Sequence, residues 1–129
     1  MLLSRRRLRA SAFAAVLSVT ALGALASAPV LIVHATIDVD PDNHDAVAAA
    51  CASLAEATRA EAGCHRYDMS ADVADRGRFY VTELWEDDDV LAAHLKQPHM
   101  KDFGRALRDA GVKGSTATKY EITNETKMF

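Results

Sequence analysis

An α+β fold of order β-α-β-β-α-β, the ferredoxin-like arrangement, is predicted by three observations. Strand-like runs rich in apolar or alternating residues occupy Val30–Asp38, Cys64–Val73, Phe79–Glu86 and Lys113–Thr123. An amphipathic helical stripe covers His44–Ala62, and two short helical stretches lie between Asp87 and Gly111. No repeat, linker or low-complexity block follows the N-terminal segment, so 129 residues make one domain.

The first strand, Val-Leu-Ile-Val-His-Ala-Thr-Ile-Asp, is dense in β-branched residues, with His34 its one titratable interior position. Asp40-Pro41-Asp42-Asn43 makes a turn and helix start. Val47, Ala50, Cys51, Leu54, Ala55 and Thr58 form the helix's apolar stripe, and Gly63 is its expected stop. In the second strand His65, Tyr67 and Met69 share one face, Arg66 and Asp68 the other. Ala74-Asp75-Arg76-Gly77 turns the chain into a hairpin. In the third strand Phe79, Val81, Glu83 and Trp85 point one way and Tyr80, Thr82, Leu84 and Glu86 the other.

Asp87-Asp88-Asp89 supplies a cap and first-turn negative charge to a helix carrying Leu91, His94 and Leu95. Pro98 stops that helix and opens the next, whose stripe is Met100, Phe103 and Leu107. The last strand alternates Thr116, Thr118, Tyr120 and Ile122 against Ala117, Lys119 and Glu121. A tail, 125–129, carries no pattern. Helices on one sheet face leave the other needing cover, and Val, Ile and Phe side chains there would form too large a patch for a monomer. Homodimerisation through the sheets, as a dimeric α/β-barrel, is the expected solution.

Composition bounds the partners. The formal net charge is −3, from 15 basic and 18 acidic residues. Arg5, Arg6, Arg7 and Arg9 all lie in the N-terminal segment; without them 11 basic residues face 18 acidic ones, a net of −7. So acidic a domain is not built for nucleic acid. The basic start, the apolar run Ala10–Leu25 and Ala24-Leu25-Ala26 read as a cleavable signal peptide over 1–26, leaving a domain over 27–124. Ser4-Arg5-Arg6-Arg7-Leu8 has the look of a twin-arginine signal. Export to the periplasm or outside is therefore expected, or a cytoplasmic protein if translation starts at Val30. The apolar run has 16 residues, short of the roughly 20 that span a membrane, so no stable span is expected after leader removal. Cys51 lies about three turns, roughly 16 Å, from the helix end. A bridge to Cys64 needs Cα atoms within about 7 Å, so both read as small buried hydrophobes.

Three stretches carry a resemblance. They are Glu61-Ala62-Gly63-Cys64-His65-Arg66-Tyr67, then Phe79-Tyr80-Val81-Thr82-Glu83-Leu84-Trp85-Glu86, then His94-Leu95 with Pro98-His99-Met100. Together they resemble the antibiotic biosynthesis monooxygenase family, with the small quinol monooxygenases nearest. The resemblance covers Val30 to Ile122. It implies a dimeric α+β barrel that oxidises quinols or polycyclic phenols with molecular oxygen and no metal, flavin or haem. Two other readings of such a fold are a non-catalytic small-molecule-binding or stress-related dimer and a haem-degrading protein. The haem-degrading branch carries an Asn on the first strand and a Trp in the second helical region, where this chain has His34 and His94.

Cofactor-free oxygenation needs a base, a dry apolar pocket and donors for a developing oxyanion. His94, Glu83 and His99 are the catalytic candidates: an imidazole titrates near neutrality, and Glu83 sits on an apolar strand face. His34, Tyr67, Trp85, Met100 and Phe103 are the substrate-binding candidates, Tyr67 and Trp85 each with a donor on an apolar body. Glu83 has a plainer alternative, pairing with Arg78 or Lys119 across strands. No metal site is expected: His94 and His99 are five apart across Pro98, outside helical ligand spacing.

Overall fold

A computed structural model describes residues 30–129; the expected signal peptide and its cleavage site lie outside the described residues. The elements are β1 (Val30–Asp38), α1 (His44–Arg59), β2 (Cys64–Ala71), β3 (Arg78–Trp85), α2 (Asp88–His94), α3 (Pro98–Asp109) and β4 (Gly114–Ile122), with a short 3-10 turn at Pro41–Asn43. The strands form one sheet, order β2-β3-β1-β4, with every neighbouring pair antiparallel. This is the α+β ferredoxin-like fold expected from the element order.

Alternation decides which side chains meet the helices. Leu31, Val33 and Ile37 of β1 stand opposite Trp85, Glu83 and Phe79 of β3, and all six are buried. Val47, Cys51, Leu54, Ala55 and Thr58 of α1 cover that face, and Phe103 of α3 packs into the same core. Each large apolar side chain buried in this way contributes about 1.5–3 kcal/mol. Burial pushes the Cys51 thiol up to about 11, so it behaves as a hydrophobe.

Local signals start α2 and α3 where the sequence places them, whereas α1 ends at Arg59, short of the expected Ala62. The Asp87 carboxylate accepts from the Val90 amide at 2.8 Å, capping α2. Pro98 is the first residue of α3, where its missing N–H costs nothing. Gly63 takes φ +81°, and a Cβ there would meet both Val90 methyls at 2.8 Å. Only glycine lets the α1–β2 turn lie this close against α2.

Two further expectations fail. Cys64 pairs with Trp85 and Arg66 with Leu84, so a bulge at His65 puts Cys64, not His65, on the side of Tyr67 and Met69. His65 is exposed. The open sheet face carries no phenylalanine either: Phe79 and Phe103 are in the core. By register that face bears Ile32, Leu84, Tyr120 and Ile122 at one end and Thr36, Thr82, Thr116 and Thr118 further along.

Candidate active site

A cavity of about 450 Å³ opens between the sheet and α2 and α3. Its walls are mainly apolar, with Val33, Val81, Leu91, Met100, Phe103 and Leu107 among them. Met100 and Phe103 arrive there because α3 starts at Pro98 and turns one stripe onto the sheet. Among the lining residues the titratable groups are Glu83, Tyr67 and Lys119. A larger groove, about 570 Å³, lies between α1 and β2, but none of the expected site residues lines it.

Glu83 is buried, and its Oε2 accepts a hydrogen bond from Trp85 Nε1 at 2.7 Å. The cross-strand pairing considered for it does not occur. Arg78 bonds Asp38 at 2.7 Å, and Lys119 bonds Asp88 at 2.5 Å. Burial raises the Glu83 pKa above the usual carboxylate range; the Trp85 hydrogen bond and the nearby His94 only partly oppose that. Tyr67, paired opposite Glu83 across β2 and β3, is pushed up by burial and then by the Glu83 charge. Its hydroxyl therefore stays protonated as a donor. Trp85 is fully buried and is not among the cavity-lining residues; it acts on the cavity through Glu83.

His94 and His99 form a second cluster around a residue the sequence argument did not nominate. Glu61 Oε1 meets His94 Nδ1 at 2.8 Å and His99 Nε2 at 2.7 Å. His94 is buried, its ring 4.6 Å from that of Trp85 and 5.5 Å from that of Tyr67. Its Nε2 is buried without a hydrogen-bond partner among the described residues. Neither histidine lines the cavity. The two sites are joined by the tilted Trp85–His94 ring contact. Glu61 lies in the Glu-Ala-Gly-Cys run already noted, and its position just before the Gly63 turn was the available signal. His94 and His99 lack helical ligand spacing in the sequence; folding adds Glu61 to them.

His34 does not join either cluster. It is exposed on the open sheet face, 3.3 Å from the Thr82 hydroxyl and edge-on to Tyr120 at 6.0 Å. The run Val30–Val33 is apolar throughout, so its sequence gave no phase by which to assign His34 a face.

Comparisons with known proteins agree with this architecture. The family model described as antibiotic biosynthesis monooxygenase matches residues 30–106. YcnE of Bacillus subtilis (strain 168), assigned as a monooxygenase, is 27% identical over 73 residues, covering 57% of this chain and 77% of that protein. The crystal structure of PA3566 from Pseudomonas aeruginosa matches with TM-score 0.69 and 30% identity, over 74% of this chain and 96% of that one. A Deinococcus radiodurans protein assigned as an antibiotic biosynthesis monooxygenase matches with TM-score 0.72 and 27% identity, over 77% of this chain and 98% of that one. The matched stretch runs from β1 into α3 and contains Glu61, Tyr67, Glu83, Trp85, His94 and His99. The chain belongs to the antibiotic biosynthesis monooxygenase family.

Proposed function

We propose that this protein is a monooxygenase that oxidises a quinol-like or polycyclic phenolic substrate with O2, without a bound cofactor, and that Glu83 is its base. One observation carries the proposal: a desolvated carboxylate and a protonated tyrosine face the same apolar cavity. Trp85 occupies Oε2 of Glu83, leaving Oε1 for the substrate hydroxyl. Proton transfer to Oε1 makes an electron-rich phenolate, and burial, by raising the Glu83 pKa, makes its carboxylate a stronger base for that transfer. The Tyr67 hydroxyl supplies a donor for the developing oxyanion. The substrate anion reduces O2. One oxygen atom enters the product and the other leaves as water, with all the electrons coming from the substrate. His94 and His99 then hold α2 and α3 in place and touch no substrate.

The test is oxygen consumption by the purified protein with a panel of hydroquinones and an anthrone, with no cofactor added. Uptake above autoxidation supports the oxygenase. Ligand binding without uptake across the panel would favour a non-catalytic binding protein of the same fold. The open sheet face, with Ile32, Leu84, Tyr120 and Ile122 gathered at one end, favours a homodimer. Light scattering at the monomer mass would end that part of the proposal. The leader supports export, and finding only full-length protein in the cytosol would contradict it.

A further inference from the structure

The Glu61, His94 and His99 cluster has the composition of a metal site. Its three side chains come from three places in the fold. Glu61 lies in the turn between α1 and β2, His94 is the last residue of α2, and His99 is the second residue of α3. One potential ligand atom from each lies within 4.8 Å of the others. The two nitrogens stand 2.8 and 2.7 Å from one carboxylate oxygen. Metal–ligand bonds of about 2.0–2.1 Å place two ligands of one ion roughly 3–4 Å apart, so small rotations suffice to seat an ion.

The surroundings favour such a site. Tilted packing against the Trp85 and Tyr67 rings, with centroids 4.6 and 5.5 Å away, confines the His94 ring. The Gly63 approach to Val90 fixes the turn that carries Glu61. The His94 side chain is 1% exposed and that of His99 is 24% exposed, so the cluster is closed on one side and reachable on the other. His99 also lines a groove of about 270 Å³ between α1 and α3.

Proton positions allow the exchange. In the hydrogen-bonded form His94 carries its proton on Nδ1 and His99 on Nε2, both facing Glu61. In the metal-bound form each ring moves its proton to its other nitrogen. At His94 this leaves a buried Nε2–H with no acceptor among the described residues, a desolvation cost that the metal bonds have to exceed. A divalent ion thus replaces the two protons that lie between Glu61 and the imidazoles.

We infer that Glu61, His94 Nδ1 and His99 Nε2 bind a divalent transition-metal ion, Zn²⁺ or Fe²⁺, with water at the remaining positions. Two imidazoles and one carboxylate suit these ions and not Mg²⁺ or Ca²⁺, which take oxygen ligands. The inference is independent of the oxygenase proposal, because none of the three ligands lines the substrate cavity.

The test titrates the full chain, stripped with chelator and dialysed, with Co²⁺ as a visible probe and then with Zn²⁺ in competition. Expected is roughly one tightly held ion per chain and a Co²⁺ spectrum of nitrogen and oxygen ligands. His99→Ala and Glu61→Gln should each weaken binding about 100-fold or more, since they remove direct ligands. Both side chains are less buried than His94, and circular dichroism of each variant verifies folding. His65→Ala, on the exposed bulge, should bind as the parent does. Absence of saturable binding in the parent overturns the inference. So does binding that survives both ligand variants, which would place the ion elsewhere.

Discussion

Glu83 and Glu61 are both largely removed from water, and their partners give them opposite roles. Glu83 keeps one hydrogen bond, from Trp85, and faces an apolar cavity. Burial therefore dominates, and its proton is held more tightly than usual. Glu61 receives two imidazole nitrogens on one oxygen, and its carboxylate ties the α1–β2 turn to α2 and α3. A carboxylate left under-solvated beside space for a ligand can take a proton. One filled with donors holds structure, or an ion in place of the donors' protons. Burial alone does not separate the two; the count of donors does.

The largest expected effect is on turnover. Glu83→Gln keeps the side chain's shape but removes the base, and should lower oxygen uptake about 100-fold or more. Glu61→Gln should leave the rate within about threefold, well short of a general-base loss. Equal losses in the two variants would erase the distinction.

Trp85→Phe attacks the one bond that Glu83 keeps. Loss of a donor to a buried carboxylate should cost about 1–3 kcal/mol, measured by chemical denaturation. Because the Trp85 bond lowers the Glu83 pKa, its loss should also move the rising limb of the rate–pH profile to higher pH.

The pH dependence of stability sharpens the contrast. The Glu83 pKa is raised in the folded chain, so between the usual carboxylate range and that raised value the folded state binds more protons than the unfolded one. Its contribution is most favourable below the unfolded pKa and is lost as pH rises through the folded one. Denaturation midpoints of the parent should fall across that window relative to those of Glu83→Gln. Parallel curves would remove the evidence for a desolvated carboxylate.

The smallest effect belongs to Lys119→Ala at the cavity rim. Its partner Asp88 is exposed, and solvent screens such pairs, so the midpoint of denaturation should not move measurably. A clear loss of stability would mean that the rim is held more firmly than its exposure implies.

The parts of the fold readable in the sequence are those set locally. Phe79, Val81, Glu83 and Trp85 announce their common face by period-two spacing, and the Asp87, Pro98 and Gly63 signals act within a turn of themselves. What was not readable depends on pairing. The His65 bulge exists only in register with β3. The face taken by His34 follows from which side the helices cover, not from its own neighbours. Glu61 meets His94 and His99 from 33 and 38 residues away, a distance no periodicity spans. Within the candidate site, Glu83, Tyr67, Met100 and Phe103 were identifiable by type and face. The separation of the histidines from the cavity required the packed helices.

The most direct test is oxygen uptake by the parent and Glu83→Gln, side by side, on a hydroquinone and an anthrone with no cofactor present. Protein-dependent uptake in the parent that falls about 100-fold in the variant is the predicted result. Uptake unchanged in the variant, or none above autoxidation in the parent, would contradict a Glu83-based oxygenase.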